Sequence, residues 1–263
     1  MTAIWKDTLS YACHGEGKPL VILHALGTDH RAMEAWMEPL FANRPGWLRI
    51  YIDLPAHGHS QVKNGGRTSE DMLAIILEFL DDFIPGKRFA LAGKSFGGYI
   101  AQGIFARKKA LLDGFFLLSP ALHLQERTLP ARTIVERDEM MLQELAPDIR
   151  AAFETLMTVQ TRENLAYFLE EVQPGRLLAD RDFLTSDWRT KGYFFPFSPF
   201  DDMEPLRYFF SVGRMPFAAT VIIGLCLSAF RTPLFRFSTV PAICWKSKSA
   251  SWFSRFAPTG SIA

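Results

Sequence analysis

The chain has 263 residues, 48% apolar and 22% charged, enough for one large α/β domain or two small ones and unlike a disordered, collagenous or coiled-coil chain. A net charge of +1 supplies no field to gather nucleic acid or an anionic membrane, so neither is expected as a partner. Cys13, Cys226 and Cys244 have neither metal-ligand spacing nor a disulfide framework. The first residues carry Lys6 and Asp7 and lack the apolar run of a secretory signal, so a cytoplasmic protein without metal or cofactor is expected.

Taken in chain order, strands and helices alternate. The apolar run from Lys18 to His24 reads as a buried strand. Met33, Trp36, Met37, Leu40 and Phe41 recur at helical spacing and predict a helix over 31–43. Residues 47–54 read as a second strand, stopped by Pro55 and the turn residues His57, Gly58, His59 and Ser60. Thr68 or Ser69, with acidic residues close behind, predicts a capped helix through Phe83. A third strand is expected over 88–92, a helix over 98–108, and a fourth strand over 113–119 ended by Pro120. Such alternation predicts a mostly parallel sheet with helices on both faces. From about Gln125 to Leu184 the strand pattern stops and amphipathic helices follow, as in a lid over the sheet's C-terminal edge.

Between the third strand and its helix stand Gly93, Lys94, Ser95, Phe96 and Gly97, the pattern G-x-S-x-G, followed by Gly98. A serine at the tip of a sharp strand-to-helix turn needs small neighbours, and the helix N-terminus aims backbone N–H groups at developing negative charge. The bland alternative is an ordinary turn. A phosphate loop is excluded, because its first glycine would fall at Arg88.

With these residues the chain resembles the α/β-hydrolase superfamily of serine hydrolases. Residues 23–29, containing His24, Ala25, Leu26 and Gly27, look like that family's His-Gly-x-Gly loop. Residues 52–60, from Ile52 to Ser60, look like its Asp-x-Pro-Gly-x-Gly-x-Ser loop. Ala25 and Ala56 replace the usual glycines, small departures expected to be tolerated. The resemblance covers roughly residues 10–204. It implies Ser95 as nucleophile, an oxyanion hole from the backbone N–H groups of Leu26 and Phe96, a helical cap that shapes the pocket, and a small-molecule substrate. The domain organisation then reads as core over 1–124, cap over 125–200 and an irregular tail over 201–263. Asp53 is expected to order its loop, His24 to pack beside the oxyanion loop, His57 and His59 to serve as loop residues, and Lys94 to face solvent. Asp201 and Asp202 read as turn or cap residues.

The rest of the triad is missing. In this fold the order is serine, acid, histidine. The histidines are His14, His24, His30, His57, His59 and His123, and none follows His123, which lies in the wrong loop for the base. The last acidic residue is Glu204. With 28 acidic residues in the first 204 positions, about eight would be expected in the next 59, which instead hold none and carry seven Lys or Arg. No catalytic acid or histidine can therefore be assigned in this chain.

The genetic code suggests why. If each codon takes the last base of one residue and the first two of the next, permitted choices over 208–223 read as a strand followed by Gly-Arg-Pro-Asp. Those over 236–253 read as a strand, then Ala-Gly-His and a closing helix. Some junctions leave no freedom: Met215 to Pro216 forces alanine, Cys244 to Trp245 leucine, Trp245 to Lys246 glutamate and Trp252 to Phe253 valine. All fit. A one-nucleotide frame offset entering between Pro205 and Tyr208 is therefore expected, with activity near background and poor solubility in the chain as written. Two alternatives stand beside it. One is a non-catalytic binder of a small apolar ligand. The other is a membrane-anchored hydrolase, from the uncharged stretch Met215 to Phe230, which is short of the ~20 residues a span needs.

Overall fold

A computed structural model describes residues 2–62, 68–121 and 132–199 of the chain. Six strands form one sheet: β1 (Thr2–Trp5), β2 (Leu9–His14), β3 (Lys18–Leu23), β4 (Trp47–Ile52), β5 (Phe89–Lys94) and β6 (Leu112–Leu118), in the spatial order β1-β2-β4-β3-β5-β6. The β1–β2 and β2–β4 pairings are antiparallel, and the remaining pairings are parallel. Among the described residues β6 is the last strand on its side.

The four parallel strands are those expected from the apolar runs, and their period-2 alternation feeds two cores. Val21 and Leu23 of β3, Ile50 and Ile52 of β4 and Leu91 of β5 face the larger core, with Phe79 and Ile104. Leu20, Ile22, Tyr51 and Ala92 face the other side, against Met33 and Met37. The flanking helices are α1 (His30–Phe41), α2 (Ser69–Phe83) and α3 (Phe96–Lys108). In α2 the expected cap is Thr68: its hydroxyl accepts from Asp71 N while the Asp71 carboxylate accepts from Thr68 N, closing a capping box. Met72, Leu73, Ile76, Phe79 and Leu80 then recur at helical spacing on the buried face.

Two features depart from the sequence reading. The N-terminal hairpin β1–β2 was not expected. It turns at Lys6 and Asp7, both with left-handed φ (45° and 52°), a geometry usually signalled by glycine or asparagine. The helical region also contains a small parallel pair, β7 (Glu136–Arg137) with β8 (Val159–Gln160), where no strand was expected.

Otherwise residues 139–191 are helical: α4 (Glu139–Glu144), α5 (Pro147–Leu156), α6 (Arg162–Tyr167), a π-helical turn (Phe168–Val172), α7 (Gln173–Leu178), α8 (Arg181–Thr185) and α9 (Trp188–Lys191). The first half has its own cluster of Met141, Leu142, Ala152, Phe153 and Phe168. The second half joins the main core through Leu184, Trp188 and Phe195. Phe195 stacks on Tyr99 of α3 at 4.5 Å between ring centroids, and its N–H donates to the Tyr99 hydroxyl at 2.7 Å. No helix of the described residues is long and apolar enough to cross a membrane, and the stretch Met215–Phe230 lies outside them.

Candidate active site

Ser95 sits between β5 and α3 with φ +50° and ψ −116°, a left-handed backbone that a residue with a side chain adopts only under strain. The turn is pinned on both sides. Ser95 N donates to Leu118 O of β6 at 3.0 Å, and Ser95 O accepts from Tyr99 N and Ala121 N at 3.0 and 2.9 Å. The glycines around it are required by packing. A Cβ on Gly93 would lie 2.5 Å from Gly97 O, one on Gly97 2.3 Å from His24 O, and one on Gly98 2.9 Å from the Pro120 side chain. The elbow therefore lies directly against the end of β3, where the loop carrying Leu26 begins.

Ser95 is half-buried, and its hydroxyl has no hydrogen-bond partner among the described residues. Phe96 N is the first amide of α3, so it is one of the helix's unsatisfied donors. Neither it nor Leu26 N has an acceptor among the described residues. The Phe96 ring is buried against Trp188 and Tyr193, which holds the start of α3 in place.

The loops after β3 and β4 are bound to each other by buried polar groups. His24 Nε2 accepts from Leu54 N at 2.9 Å, so Nδ1 carries the proton and donates to Ala25 O at 2.8 Å. Both ring nitrogens are committed, and burial lowers the pKa, so His24 is a neutral tie between loops. His57 Nδ1 donates to Pro55 O at 2.9 Å, and burial, with His24 beside it, pushes its pKa down to about 3. Asp53 is fully buried. Its carboxylate accepts from His30 N and His30 Nδ1, both at 2.8 Å, and from His59 N at 3.4 Å. Burial raises its pKa, but these bonds and the His30 charge outweigh burial and hold it at about 2. Asp53 thus orders its loop, as expected.

Asp29, His30 and Asp53 are the group of possible metal ligands among the described residues, with donor atoms within 4.8 Å of one another. Those atoms are already engaged. His30 and Asp53 bond each other, and Asp29 caps α1 through Arg31 N and pairs with the Arg31 guanidinium.

Three expectations need correction or restriction. Lys94 faces solvent only in part. It is half-buried on the Ala90–Ala92 face of β5, and burial pulls its pKa down to about 7 against the opposing charge of Glu171, a buried carboxylate in the π-helical turn. Ala56 is a larger departure than expected, because its φ is +68° and only glycine adopts that backbone freely. His123, Asp201 and Asp202 lie outside the described residues, as does the whole tail. The His30–Asp53 contact was missed, since no local pattern links residues 23 positions apart.

The helical region reaches the same edge of the sheet. Asp180 N donates to Ala56 O at 2.9 Å, and a Cβ on Gly175 of α7 would lie 2.6 Å from Asp29 N. The loops after β3, β4 and β5 and the segment from Glu171 to Asp180 therefore converge around Ser95.

The family model described as "Serine aminopeptidase, S33" matches residues 18–177. An α/β superfamily hydrolase from Oenococcus oeni has a similar solved structure, with a TM-score of 0.66 and 26% identity over 75% of this chain and 73% of that one. The (E)-2-((N-methylformamido)methylene)succinate hydrolase of Acinetobacter baylyi is 28% identical over 137 residues, 52% of this chain and 49% of the relative. The pimeloyl-[acyl-carrier protein] methyl ester esterase of Legionella pneumophila is 31% identical over 97 residues, 37% of this chain and 36% of the relative. The matched stretch spans about half or less of the length of these curated relatives. The family match covers more than half of the chain and includes the turn at Ser95, the loops after β3 and β4 and the helices α4 to α6: the chain belongs to the α/β-hydrolase superfamily, in the family of the serine aminopeptidase S33 model, and is by family a hydrolase.

Proposed function

We propose that the chain descends from a serine hydrolase that cleaves an ester, lactone or similar small carbonyl substrate through an acyl-Ser95 intermediate, and that as written it is disabled. The observation that carries this reading is the left-handed Ser95, whose hydroxyl has no partner among the described residues, on a turn that Gly97 packs against the end of β3. In the intact reaction Ser95 Oγ attacks the carbonyl carbon while a base takes its proton. The carbonyl oxygen becomes an oxyanion that the Leu26 and Phe96 amides and the α3 N-terminus stabilise. The tetrahedral species then collapses to the acyl-serine as the leaving oxygen is reprotonated, and water releases the acid. The segment over 125–200 acts as a cap; its Asp180–Ala56 and Gly175–Asp29 contacts support that placement.

The proton step is the one that fails. Among the described residues, His24 is bonded through both ring nitrogens and His30 is bonded to Asp53. His57 is bonded only through Nδ1, but burial pushes its pKa down to about 3, too low to hold the proton of a serine. No Asp, Glu or His stands between Pro205 and Ala263. The frame offset entering between Pro205 and Tyr208 accounts for both losses, since the shifted reading restores an Asp and a His in the family's order. The oxyanion donors and binding site alone leave on the order of 10³–10⁴-fold over water.

The first test is to resequence codons 200–263 from independent template, and to assay short-chain esters with the chain as written, the frame-restored chain and Ser95→Ala of each. The expected result is Ser95-dependent turnover in the restored chain alone. Robust Ser95-dependent turnover by the chain as written would overturn the disabled reading. An inactive restored chain that still binds small apolar ligands would favour a non-catalytic binder.

A further inference from the structure

We propose that Ser119 supplies a second hydroxyl to the elbow, and that a monocarboxylate binds there. One carboxylate oxygen sits on the Leu26 and Phe96 amides, and the other sits between Ser95 Oγ and Ser119 Oγ. The proposal deepens the serine-hydrolase reading and rests on it for the role of the two amides; the ligand is then the product acid.

Two independent features mark Ser119. It follows the last residue of β6 with φ +44°, a left-handed backbone that glycine adopts freely and serine does not. It also precedes Pro120, and the residue before a proline is driven towards extended backbone. Its hydroxyl oxygen is buried and has no hydrogen-bond partner among the described residues. Buried hydroxyls are as a rule bonded, so one left open in a strained turn beside a nucleophile marks a place where a partner arrives.

The turn is built around Ser95. Lys94 of β5 pairs with Leu118 of β6, so Ser95 and Ser119 are the next positions on the two strands. Ser95 N donates to Leu118 O at 3.0 Å and Ala121 N donates to Ser95 O at 2.9 Å, one bond on either side of Ser119. Gln102 of α3 donates from Nε2 to Ala121 O at 2.8 Å, and Pro120 lies against Gly98. Ser119 is thereby fixed to the same frame as the nucleophile.

The spacing suits one shared oxygen. Paired strands lie about 4.8 Å apart. An oxygen that accepts bonds of ~2.7 Å from two hydroxyls spans that gap. A carboxylate carries a second oxygen for the Leu26 and Phe96 amides, neither of which has an acceptor among the described residues. The N-terminus of α3, a helix of 13 residues, favours the negative charge. A ketone offers one such oxygen and leaves the hydroxyl pair open.

Butyrate and 2-pentanone test this, because a methyl in the ketone replaces the second carboxylate oxygen. Saturation-transfer NMR titrations of the full chain at neutral pH should show saturable butyrate binding, at least about fivefold tighter than 2-pentanone. Ser119→Ala should weaken butyrate roughly tenfold and change 2-pentanone less than about twofold. Ser119→Gly removes the hydroxyl and relieves the left-handed backbone, so it should weaken butyrate equally while the urea midpoint of the free chain holds or rises. A merely structural serine would not separate those two readouts. The site is overturned by absence of saturable butyrate binding, by no preference over 2-pentanone, by butyrate affinity indifferent to both variants, or by a loss that only follows a fall in the midpoint. Binding an acid needs no catalytic base. Ser119-dependent butyrate binding beside an inactive frame-restored chain would therefore sink the serine-hydrolase reading alone, and turnover without that binding would sink this site alone.

Discussion

The elbow over 93–98 and the loop over 53–60 are two tight turns at the same edge of the sheet, and each holds a non-glycine residue in left-handed backbone: Ser95 at φ +50° and Ala56 at φ +68°. They are held in opposite ways. The elbow is held by steric fit, because Gly93, Gly97 and Gly98 leave no room for a Cβ against backbone or Pro120. The loop after β4 is held by polar groups: Asp53 with its donors, Ser60 Oγ donating to Asp53 O at 2.6 Å, and the inward His57. Strain at Ser95 places a side chain that glycine would not provide. At Ala56 the extra methyl carries no comparable chemistry. Apart from the buried Lys94 amine, the elbow should therefore respond to volume, and the loop after β4 to acid.

The largest effect should come from volume in the elbow. Gly97→Ala puts a methyl 2.3 Å from His24 O and 2.6 Å from Leu23 O, backbone atoms of a central strand's end that cannot step aside. A loss of more than about 3 kcal/mol is expected in urea unfolding, at any pH. A loss under about 1 kcal/mol would show that the elbow can relax.

The polar loop should be broken by acid instead. His57 is kept neutral with a pKa near 3, whereas an unfolded histidine titrates near 6.5. The unfolded chain therefore takes up a proton that the folded chain refuses, and stability falls as pH drops below 6.5. Between pH 7.5 and 4.5 the His57 share is about 2–3 kcal/mol, and His57→Asn should remove that slope in parallel urea titrations. Asp53 acts lower on the scale. Its pKa of about 2 lies below the unfolded 3.8, so its stabilisation is present above 3.8 and lost as pH falls through about 2. Asp53→Asn should destabilise by about 2 kcal/mol at pH 7 and be nearly neutral at pH 2. A pH-independent difference would mean that the charge is not what the loop uses.

The same contrast explains what could be read from the amino acids alone. The parallel strands announce themselves as apolar runs because both faces are buried, as Val21 and Ile22 point into opposite cores. The elbow is legible because steric necessity leaves glycines at fixed spacing. The Thr68 cap is legible because its partner Asp71 is three residues away. The β1–β2 hairpin is not, because Thr2–Ile4 are exposed and its turn uses Lys6 and Asp7. Nor are β7 and β8, at two residues each too short for any period. The partial burial of Lys94 is not legible, because a charge near a turn reads as solvent-facing, whereas strand alternation places it on the Ala92 face with the opposite charge of Glu171 acting on it. The buried contacts of Asp53 and His30 depend on the β3 and β4 loops meeting, which only the β3–β4 pairing supplies.

The smallest effect is the most direct test of the strain at Ala56. An L-residue in left-handed backbone is disfavoured by roughly 1–2 kcal/mol, while glycine loses about 0.5–1 kcal/mol more than alanine in unfolded-chain entropy. Ala56 has no steric excuse to be replaced: its methyl is buried in the main core, so its removal also gives up a little apolar burial. The balance still favours glycine, by about 0.5–1 kcal/mol. Ala56→Gly should therefore raise the urea midpoint slightly at both pH 7.5 and pH 4.5, because no titrating group is touched. The Asp180 N to Ala56 O bond should persist, because it uses only backbone. If Ala56→Gly instead destabilises, the methyl's packing outweighs the backbone strain, and the loop after β4 is held by volume after all.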